Sequence, residues 1–182
     1  GFTNTYSLDF DGVDDYMTMG DVTILDGVSD VTISVWVNFS TLPSSYTKDV
    51  IIGKDNAYEL YIYGSAAGDG VGLRVNNGAL DISEYDFATD EWYHVVVVMD
   101  SSGKTYYING SKNGDTLGSQ VTINNTTESL LIGGRTNKYF MIGNVDEAAI
   151  FDSALTAAEI TAIYNSGEPT DLTVDAGDYT SS

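Results

Sequence analysis

Val31-Thr-Ile-Ser-Val-Trp-Val-Asn-Phe39 is the stretch that decides the fold, because every odd-numbered position in it carries a large apolar side chain. A period of two is typical of a β-strand that buries one face in a core, since successive side chains of a strand point to opposite sides. Thr32, Ser34 and Asn38 occupy the other face, together with Trp36. We therefore predict a strand here and a cover for Trp36 on the face away from the core.

Further strands follow from the same alternation and from the turns between them. The unbroken valines of Val95–Val98 must be covered on both faces, as in a central strand. Asn-Gly pairs at 77–78, 109–110 and 113–114 supply the positive φ angles that two-residue hairpins need. The predicted strands cover residues 6–10, 31–39, 50–52, 58–63, 71–75, 93–99, 105–108, 130–132 and 145–151. This pattern predicts an all-β fold, a two-sheet antiparallel jelly-roll sandwich.

One short helix is predicted after the last of these strands. Thr156 and Glu159 have the spacing of a capping box, and Leu155 with Ile160 has the spacing of a hydrophobic staple. Gly167 is placed to end the helix. The sandwich should therefore carry one short C-terminal helix.

Composition and charge narrow the choice of partners. The 182 residues are enough for one domain, and 27 acidic residues against 7 Lys and Arg give a formal net charge of −20. Such a charge repels phosphate backbones and anionic lipids, so we expect no nucleic acid partner. The absence of cysteine excludes disulfides. The longest aliphatic run, Val95–Met99, is too short for a membrane span, so we expect no membrane insertion.

Several motifs in order resemble one known family. They are Ser7-Leu-Asp-Phe-Asp-Gly-Val-Asp-Asp-Tyr16, the Val31–Phe39 strand, Asp90-Glu-Trp-Tyr-His-Val-Val-Val-Val-Met-Asp100, Tyr106-Tyr-Ile-Asn-Gly110, Leu131-Ile-Gly-Gly134 and Gly143-Asn-Val-Asp-Glu147. Together they resemble the laminin G-like, concanavalin A-like jelly-roll domains. The resemblance implies one such domain over residues 1–168, followed by a polar linker or tail over 169–182. The fold carries lectins, adhesion modules and glycosidases, so function must be argued from the site.

The tail has a resemblance of its own. The stretch from Ile163 to Thr180 is similar to the junction that follows such domains in structural proteins of marine tailed phages. This resemblance implies display on a virion surface or outside a cell, in contact with other chains of a larger assembly.

A calcium site is expected at the first turn, where Asp9, Asp11, Asp14 and Asp15 fall within seven residues. Calcium takes six to eight oxygen ligands, and like charges this close need a cation or solvent to neutralise them. The family resemblance adds Asp146, where the first strand meets the last. The expected ligands of a structural Ca²⁺ are therefore Asp11, Asp15 and Asp146, and the alternative is a solvated acidic turn without an ion.

Two loops offer the chemistry of sugar recognition, in which a tyrosine ring stacks on the sugar and amide or guanidinium groups bond its hydroxyls. In the family arrangement both loops lie on one rim. The expected ligand-binding residues are Asp55, Asn56, Tyr58, Arg135, Asn137 and Tyr139. In one alternative, Tyr139 packs over Phe140 and Met141. In another, the site surrounds Trp36, Tyr61 and Tyr63.

Catalytic groups are scarce. His94 is the single histidine and lies in a predicted strand, where a structural role is the ordinary one. Glu84 and Asp86 could share a face, but they fall in a segment, 83–91, that we interpret as a loop. We therefore expect a non-catalytic recognition module for carbohydrate. The alternatives are a structural, decoration or adhesion domain that makes protein–protein contacts and, last, a polysaccharide-active enzyme.

Overall fold

A computed structural model of the protein describes residues 6–66, 68–167 and 173–175. The predicted strand 31–39 is the central strand of one of its two sheets. The strands are β1 (Ser7–Asp11), β2 (Met17–Thr18), β3 (Val31–Phe39), β4 (Lys48–Lys54), β5 (Tyr58–Tyr63), β6 (Gly70–Val75), β7 (Ile82–Glu84), β8 (Trp92–Asp100), β9 (Gly103–Ile108), β10 (Ser111–Leu117), β11 (Leu130–Ile132), β12 (Ile142–Phe151) and β13 (Thr173–Asp175). The helix α1 is Ala157–Ser166.

The strands form two sheets. The seven-stranded sheet has the order β10-β9-β8-β3-β12-β1-β13, and the six-stranded sheet has the order β2-β11-β4-β5-β6-β7. Their pairings are antiparallel except that β13 runs parallel to β1. The predicted all-β jelly-roll sandwich with one short C-terminal helix is confirmed.

The core lies between the sheets and follows the predicted alternation. All five odd positions of β3 belong to it, as do Leu60 and Ile62 of β5 and Val95 and Val97 of β8. The intervening residues of each strand point to the outer faces of the sandwich. The period of two in the sequence therefore determines which side chains remain available outside the core.

The outer face of the seven-stranded sheet is covered by α1. The Trp36 ring stacks on Tyr164 of the helix at a centroid distance of 5.6 Å and lies 5.2 Å from the His94 ring. Val96 and Val98 pack with Ile160 and the partly buried Leu155. The cover predicted for Trp36 and for the valine run is therefore the helix.

The turns show where the pattern of Asn-Gly pairs is informative and where it is not. Asn109 and Gly110 join β9 to β10 with φ angles of 50° and 72°, which confirms this hairpin turn. Asn113-Gly114 is no turn, because it lies inside β10 at a shift in the register. At the predicted pair Asn77-Gly78, the residues with positive φ are Asn76 and Asn77. This tight turn therefore begins one residue earlier than expected.

Two other segments differ from expectation. Glu84 lies in the edge strand β7 and not in a loop. Thr173–Asp175, within the segment predicted as a polar tail, pairs in parallel with β1. The rest of that segment, residues 169–172 and 176–182, lies outside the described residues.

The helix begins as the capping pattern predicts. The Glu159 backbone N–H donates to Thr156 Oγ1 at 3.3 Å, and the Thr156 N–H donates to Glu159 Oε2 at 2.7 Å. These two bonds satisfy amide groups that have no partner within the helix.

We expect Thr156→Ala to lower the free energy of unfolding by about 1 kcal/mol, because the Glu159 amide loses its acceptor. Chemical denaturation measures the change. Thr127→Ala, at an exposed threonine for which the described residues show no side-chain hydrogen bond, serves as the control. Equal stability of Thr156→Ala and wild type would contradict the cap.

Buried His94 and partly buried Asp49 respond to pH in opposite directions. His94 is fully buried, its Nε2 lies 2.9 Å from Ser34 Oγ, and its Nδ1 has no partner among the described residues. Burial lowers the pKa of His94 to about 4. Burial raises the pKa of the Asp49 carboxyl to about 6. In the folded protein His94 therefore stays neutral to a lower pH, and Asp49 stays neutral to a higher pH, than in the unfolded chain.

Acidification from pH 6.5 to 4 should therefore destabilise the protein through His94, because the unfolded chain takes up the proton first. The loss is about 3 kcal/mol at most, at about 1.4 kcal/mol per pKa unit. Through Asp49 the same change stabilises the protein, because the folded state takes up the proton first.

We test this with His94→Gln and Asp49→Asn, each compared with wild type by urea denaturation at pH 7 and pH 4.5. Relative to wild type, His94→Gln should gain stability on acidification and Asp49→Asn should lose it. Parallel pH profiles for all three proteins would contradict the pKa shifts of His94 and Asp49.

Candidate functional site

The outer face of the six-stranded sheet has no helix over it among the described residues, and one carboxylate organises it. Glu59 of β5 points away from the core, opposite to Leu60 and Ile62. It forms an ion pair with Lys48 of β4, and its Oε1 accepts from Arg74 Nη1 of β6 at 3.3 Å. Its Oε2 lies 3.5 Å from Arg135 Nη1. Three cations from three segments thus converge on Glu59.

Two tyrosines extend this arrangement. The Lys48 Nζ lies 5.1 Å from the centre of the Tyr61 ring and 5.0 Å from that of Tyr139. Lys138 Nζ lies 5.3 Å from the centre of the Tyr139 ring. Cations at such distances are attracted to the ring faces. We call the group formed by Asp55, Glu59 and Tyr61, with Lys48, Arg74, Arg135, Lys138 and Tyr139, the Glu59 face.

The two loops predicted to bind ligand do meet. Arg135 forms an ion pair with Asp55 of the β4–β5 turn. Asn56 adopts a φ of 63°, and its Oδ1 accepts from Asn77 Nδ2 at 2.7 Å. A small polar pocket here is lined by Lys54, Asp55, Asn56, Ala57, Tyr58, Glu59, Arg74, Asn77 and Arg135. Four of the six predicted ligand-binding residues therefore lie around one pocket.

The other two predicted residues lie outside this pocket, and Tyr58, although it is part of the pocket lining, is enclosed. Tyr139 is 38% exposed, with its ring near the ammonium groups of Lys48 and Lys138. Asn137 is exposed in the turn between Arg135 and Lys138, where its φ is 58°. Tyr58 packs in the core and its hydroxyl has no partner among the described residues, while burial raises its pKa. A stacking role for Tyr58 is therefore wrong, because its ring is enclosed.

The alternative site around Trp36, Tyr61 and Tyr63 is not one surface. Trp36 lies under α1 on the seven-stranded sheet, whereas both tyrosines belong to β5 of the other sheet. Tyr61 is fully buried although it points away from the core, and its hydroxyl donates to the Asp81 carbonyl at 3.3 Å. Its ring lies against Gly72, where a Cβ would come within 2.5 Å of it.

Lys48 of the Glu59 face is affected both by burial and by the charges around it. Burial lowers the pKa of Lys48, the hydrogen bond with Glu59 opposes that change, and the charges of Arg74 and Arg135 add to the lowering. Lys48 and Glu59 are both more than nine-tenths buried. Removing charges from water is costly unless they are paired, so this face is held together by its ion pairs.

The acidic first turn is partly as expected. Carboxylate oxygens of Asp11, Asp14 and Asp15 lie within 4.8 Å of one another. Asp146 does not join them, because Asp11 pairs with Ile142 and Asp146 lies four residues further along β12. At about 3.3 Å per residue that is on the order of 13 Å away. Asp14 takes the place in the cluster that the family resemblance assigned to Asp146.

The carboxylates considered for catalysis lie elsewhere. Glu84 and Asp86 are both exposed, Glu84 on the edge strand β7 and Asp86 just after it. Neither contributes to the Glu59 face. Lys48, Arg74 and Lys138 were not predicted as members of the site. The signal that could have found them is the rarity of basic residues in this acidic chain.

In the part of the chain that the structure describes, no helix is long and apolar enough to cross a membrane.

Solved structures of similar fold come from proteins of different kinds. A native heptameric SAP-like pentraxin of Limulus polyphemus has a TM-score of 0.64 and 20% identity, over 86% of this chain and 80% of that one. Domain 4 of AbnA, a GH43 extracellular arabinanase of Geobacillus stearothermophilus, solved with arabinotriose, has a TM-score of 0.65 and 18% identity, over 86% and 75%. Trypanosoma rangeli sialidase has a TM-score of 0.61 and 15% identity, over 87% of this chain but 27% of that enzyme. At these identities the likeness concerns the fold.

Sequence comparison is more specific than these structural likenesses. No curated protein sequence matches the chain. A family model described as the concanavalin A-like lectin/glucanases superfamily matches residues 11–161, which include both loops of the candidate site and the acidic first turn. The chain therefore belongs to the Laminin_G_3 family of the concanavalin A-like lectin/glucanases superfamily.

Proposed function

We propose that this domain is a non-catalytic carbohydrate-binding module and that its ligand lies on the Glu59 face. The observation that carries the proposal is Tyr139, an exposed ring flanked by two ammonium groups beside the Arg135–Asp55 ion pair. A tyrosine ring offers an apolar platform for a sugar, and charged side chains next to it bond the hydroxyl groups. The ion pairs hold these side chains in position before a ligand arrives, which reduces the entropy lost on binding.

Two further considerations support a glycan. The family unites lectins and glucanases, and the AbnA domain of similar fold was solved with arabinotriose. The charge of −20 disfavours nucleic acid and anionic membranes, which are extended and would also meet the acidic surface beyond this face. We place the module on a virion or cell exterior, where glycans are available. A structural or decoration role within a larger assembly is the outcome if no glycan binds.

Binding should depend on Tyr139. We expect the wild-type protein to bind at least one member of an array of plant, bacterial and animal oligosaccharides. Tyr139→Ala should weaken that binding about tenfold, measured by calorimetry, because the stacking surface is lost. Tyr6→Ala, at an exposed tyrosine just before β1 of the other sheet, is the control and should bind normally. An array without any binder would reject the proposed function, and a Tyr139→Ala protein with full affinity would reject this face.

We also propose that Ca²⁺ binds at Asp11, Asp14 and Asp15 and stabilises the first turn. Three carboxylates this close repel one another, and a hard cation with oxygen ligands relieves that repulsion. This site lies on the β1–β2 connection, so its role is structural.

Calcium at about 100 times its dissociation constant should add about 2.7 kcal/mol to the stability, which appears as a raised melting temperature. Asp15→Asn should abolish the response. Asp146→Asn removes the same charge at a distant position and should keep it. Identical melting curves in calcium and in EDTA would contradict the site, as would loss of the response in Asp146→Asn alone.

A further inference from the structure

The basic residues of this protein are unevenly distributed. Lys48, Arg74, Arg135 and Lys138 make up four of the seven Lys and Arg in the chain, and all four belong to the Glu59 face. The ion pairs there involve two carboxylates, those of Glu59 and Asp55. Among the described residues, four cations against two paired carboxylates leave an excess of two positive charges on this face. The rest of a protein with net charge −20 is correspondingly more acidic.

Two of the three basic residues elsewhere, Lys54 and Lys104, have carboxylates of their own, whereas Lys112 pairs with none among the described residues. Lys54 Nζ lies 2.7 Å from Asp21 Oδ1 and 3.1 Å from Asp26 Oδ1. Lys104 pairs with Asp81 at 2.5 Å. On the Glu59 face, by contrast, Lys48, Arg74 and Arg135 share the carboxylate of Glu59, and Asp55 adds a second carboxylate for Arg135 alone. The unbalanced charge is therefore a local property of this face.

Two of its cations have donors to spare. Lys138 is exposed and pairs with no carboxylate among the described residues, and its ammonium contacts the Tyr139 ring. Arg135 uses Nε for Asp55 and Nη1 for Glu59, while its Nη2 makes no hydrogen bond among those residues. A planar guanidinium has five N–H donors, which suits it to flat oxyanions. A ligand next to Tyr139 would find these donors unoccupied.

We infer that the Glu59 face selects acidic saccharides, in which a carboxylate or sulfate group lies against Arg135 and Lys138 while the sugar ring covers Tyr139. This inference rests on the proposed function and specifies the ligand class. A neutral sugar leaves the two excess charges uncompensated, whereas an oxyanion neutralises them. At about 0.15 M salt the Debye length is about 8 Å, so the acidic remainder of the surface is screened and the local charge decides selectivity.

The test uses pairs of ligands that have the same sugar backbone and differ at the acidic group. Calorimetry at 0.15 M salt compares oligogalacturonate with its methyl ester, and an oligosaccharide of sulfated galactan with its desulfated form. We expect at least one acidic ligand to bind about tenfold more tightly than its neutral counterpart, which corresponds to about 1.4 kcal/mol. The two pairs also separate carboxylate from sulfate as the recognised group.

A matched pair of variants locates the site. Lys138→Glu and Lys112→Glu make the same change in net charge, but Lys112 lies on β10 of the other sheet. Lys138→Glu should lower the affinity for the acidic ligand about tenfold. Lys112→Glu should keep an affinity within about twofold of the wild-type value. Circular dichroism confirms that both variants are folded.

The outcomes separate the two proposals. Neutral ligands that bind as well as acidic ones, or better, would overturn the acidic selectivity and leave the carbohydrate-binding function standing. Equal effects of Lys138→Glu and Lys112→Glu would overturn the placement on this face. If no oligosaccharide of either kind binds, in these pairs or on the array, the proposed function fails together with the inference.

Discussion

The functional surface depends on the ion pairs of the Glu59 carboxylate, because they connect segments that are distant in the sequence. Glu59 contacts Lys48 on β4, Arg74 on β6 and Arg135 in the loop after β11. A buried carboxylate is costly without partners, and each cation buried beside it would be costly without Glu59. The loop that carries Tyr139 is therefore held against the sheet by the ion pairs of Arg135, together with a hydrogen bond from the Val50 N–H to the Tyr139 carbonyl at 2.8 Å and the burial of Met141 in the core.

The two outer faces of the sandwich are treated differently. On the seven-stranded sheet, Trp36, His94 and the valines of β8 are covered by α1, so that face is closed by apolar and aromatic contacts. On the six-stranded sheet, Tyr61 and Val50 are buried beneath charged and aromatic side chains. A ligand can contact this second face without displacing a helix. The difference between the faces is the structural reason for placing the site on the six-stranded sheet.

Much of the fold could be predicted from local patterns. The alternation in β3 and β5 has a period that no helix shares, and the unbroken valines of β8 require cover on both faces. The Thr156–Glu159 cap depends on residues three positions apart. Strand β10 was missed because Ser111–Leu117 is polar and lacks alternation, and its identity comes from pairing with β9. Asn113-Gly114 was misinterpreted as a turn because a glycine with positive φ occurs in bulges as well as in turns.

The site was harder to predict than the fold, because it depends on register. Glu59 meets Arg74 because they are partners across β5 and β6, and Asp146 misses the acidic turn because Asp11 pairs with Ile142. No local pattern contains such pairings. The approach of Arg135 to Asp55 was expected from the family resemblance, whereas the cluster of cations around Glu59 required the structure.

One measurement tests the account most directly: a titration of ¹⁵N-labelled protein with an acidic oligosaccharide, followed by amide chemical shifts. The account predicts shifts confined to β4, β5, the β4–β5 turn and the loop 133–141, with the largest changes around Arg135 and Tyr139. Shifts centred on the acidic first turn or on the seven-stranded sheet would contradict it. So would an unchanged spectrum, once the array has identified that oligosaccharide as a ligand.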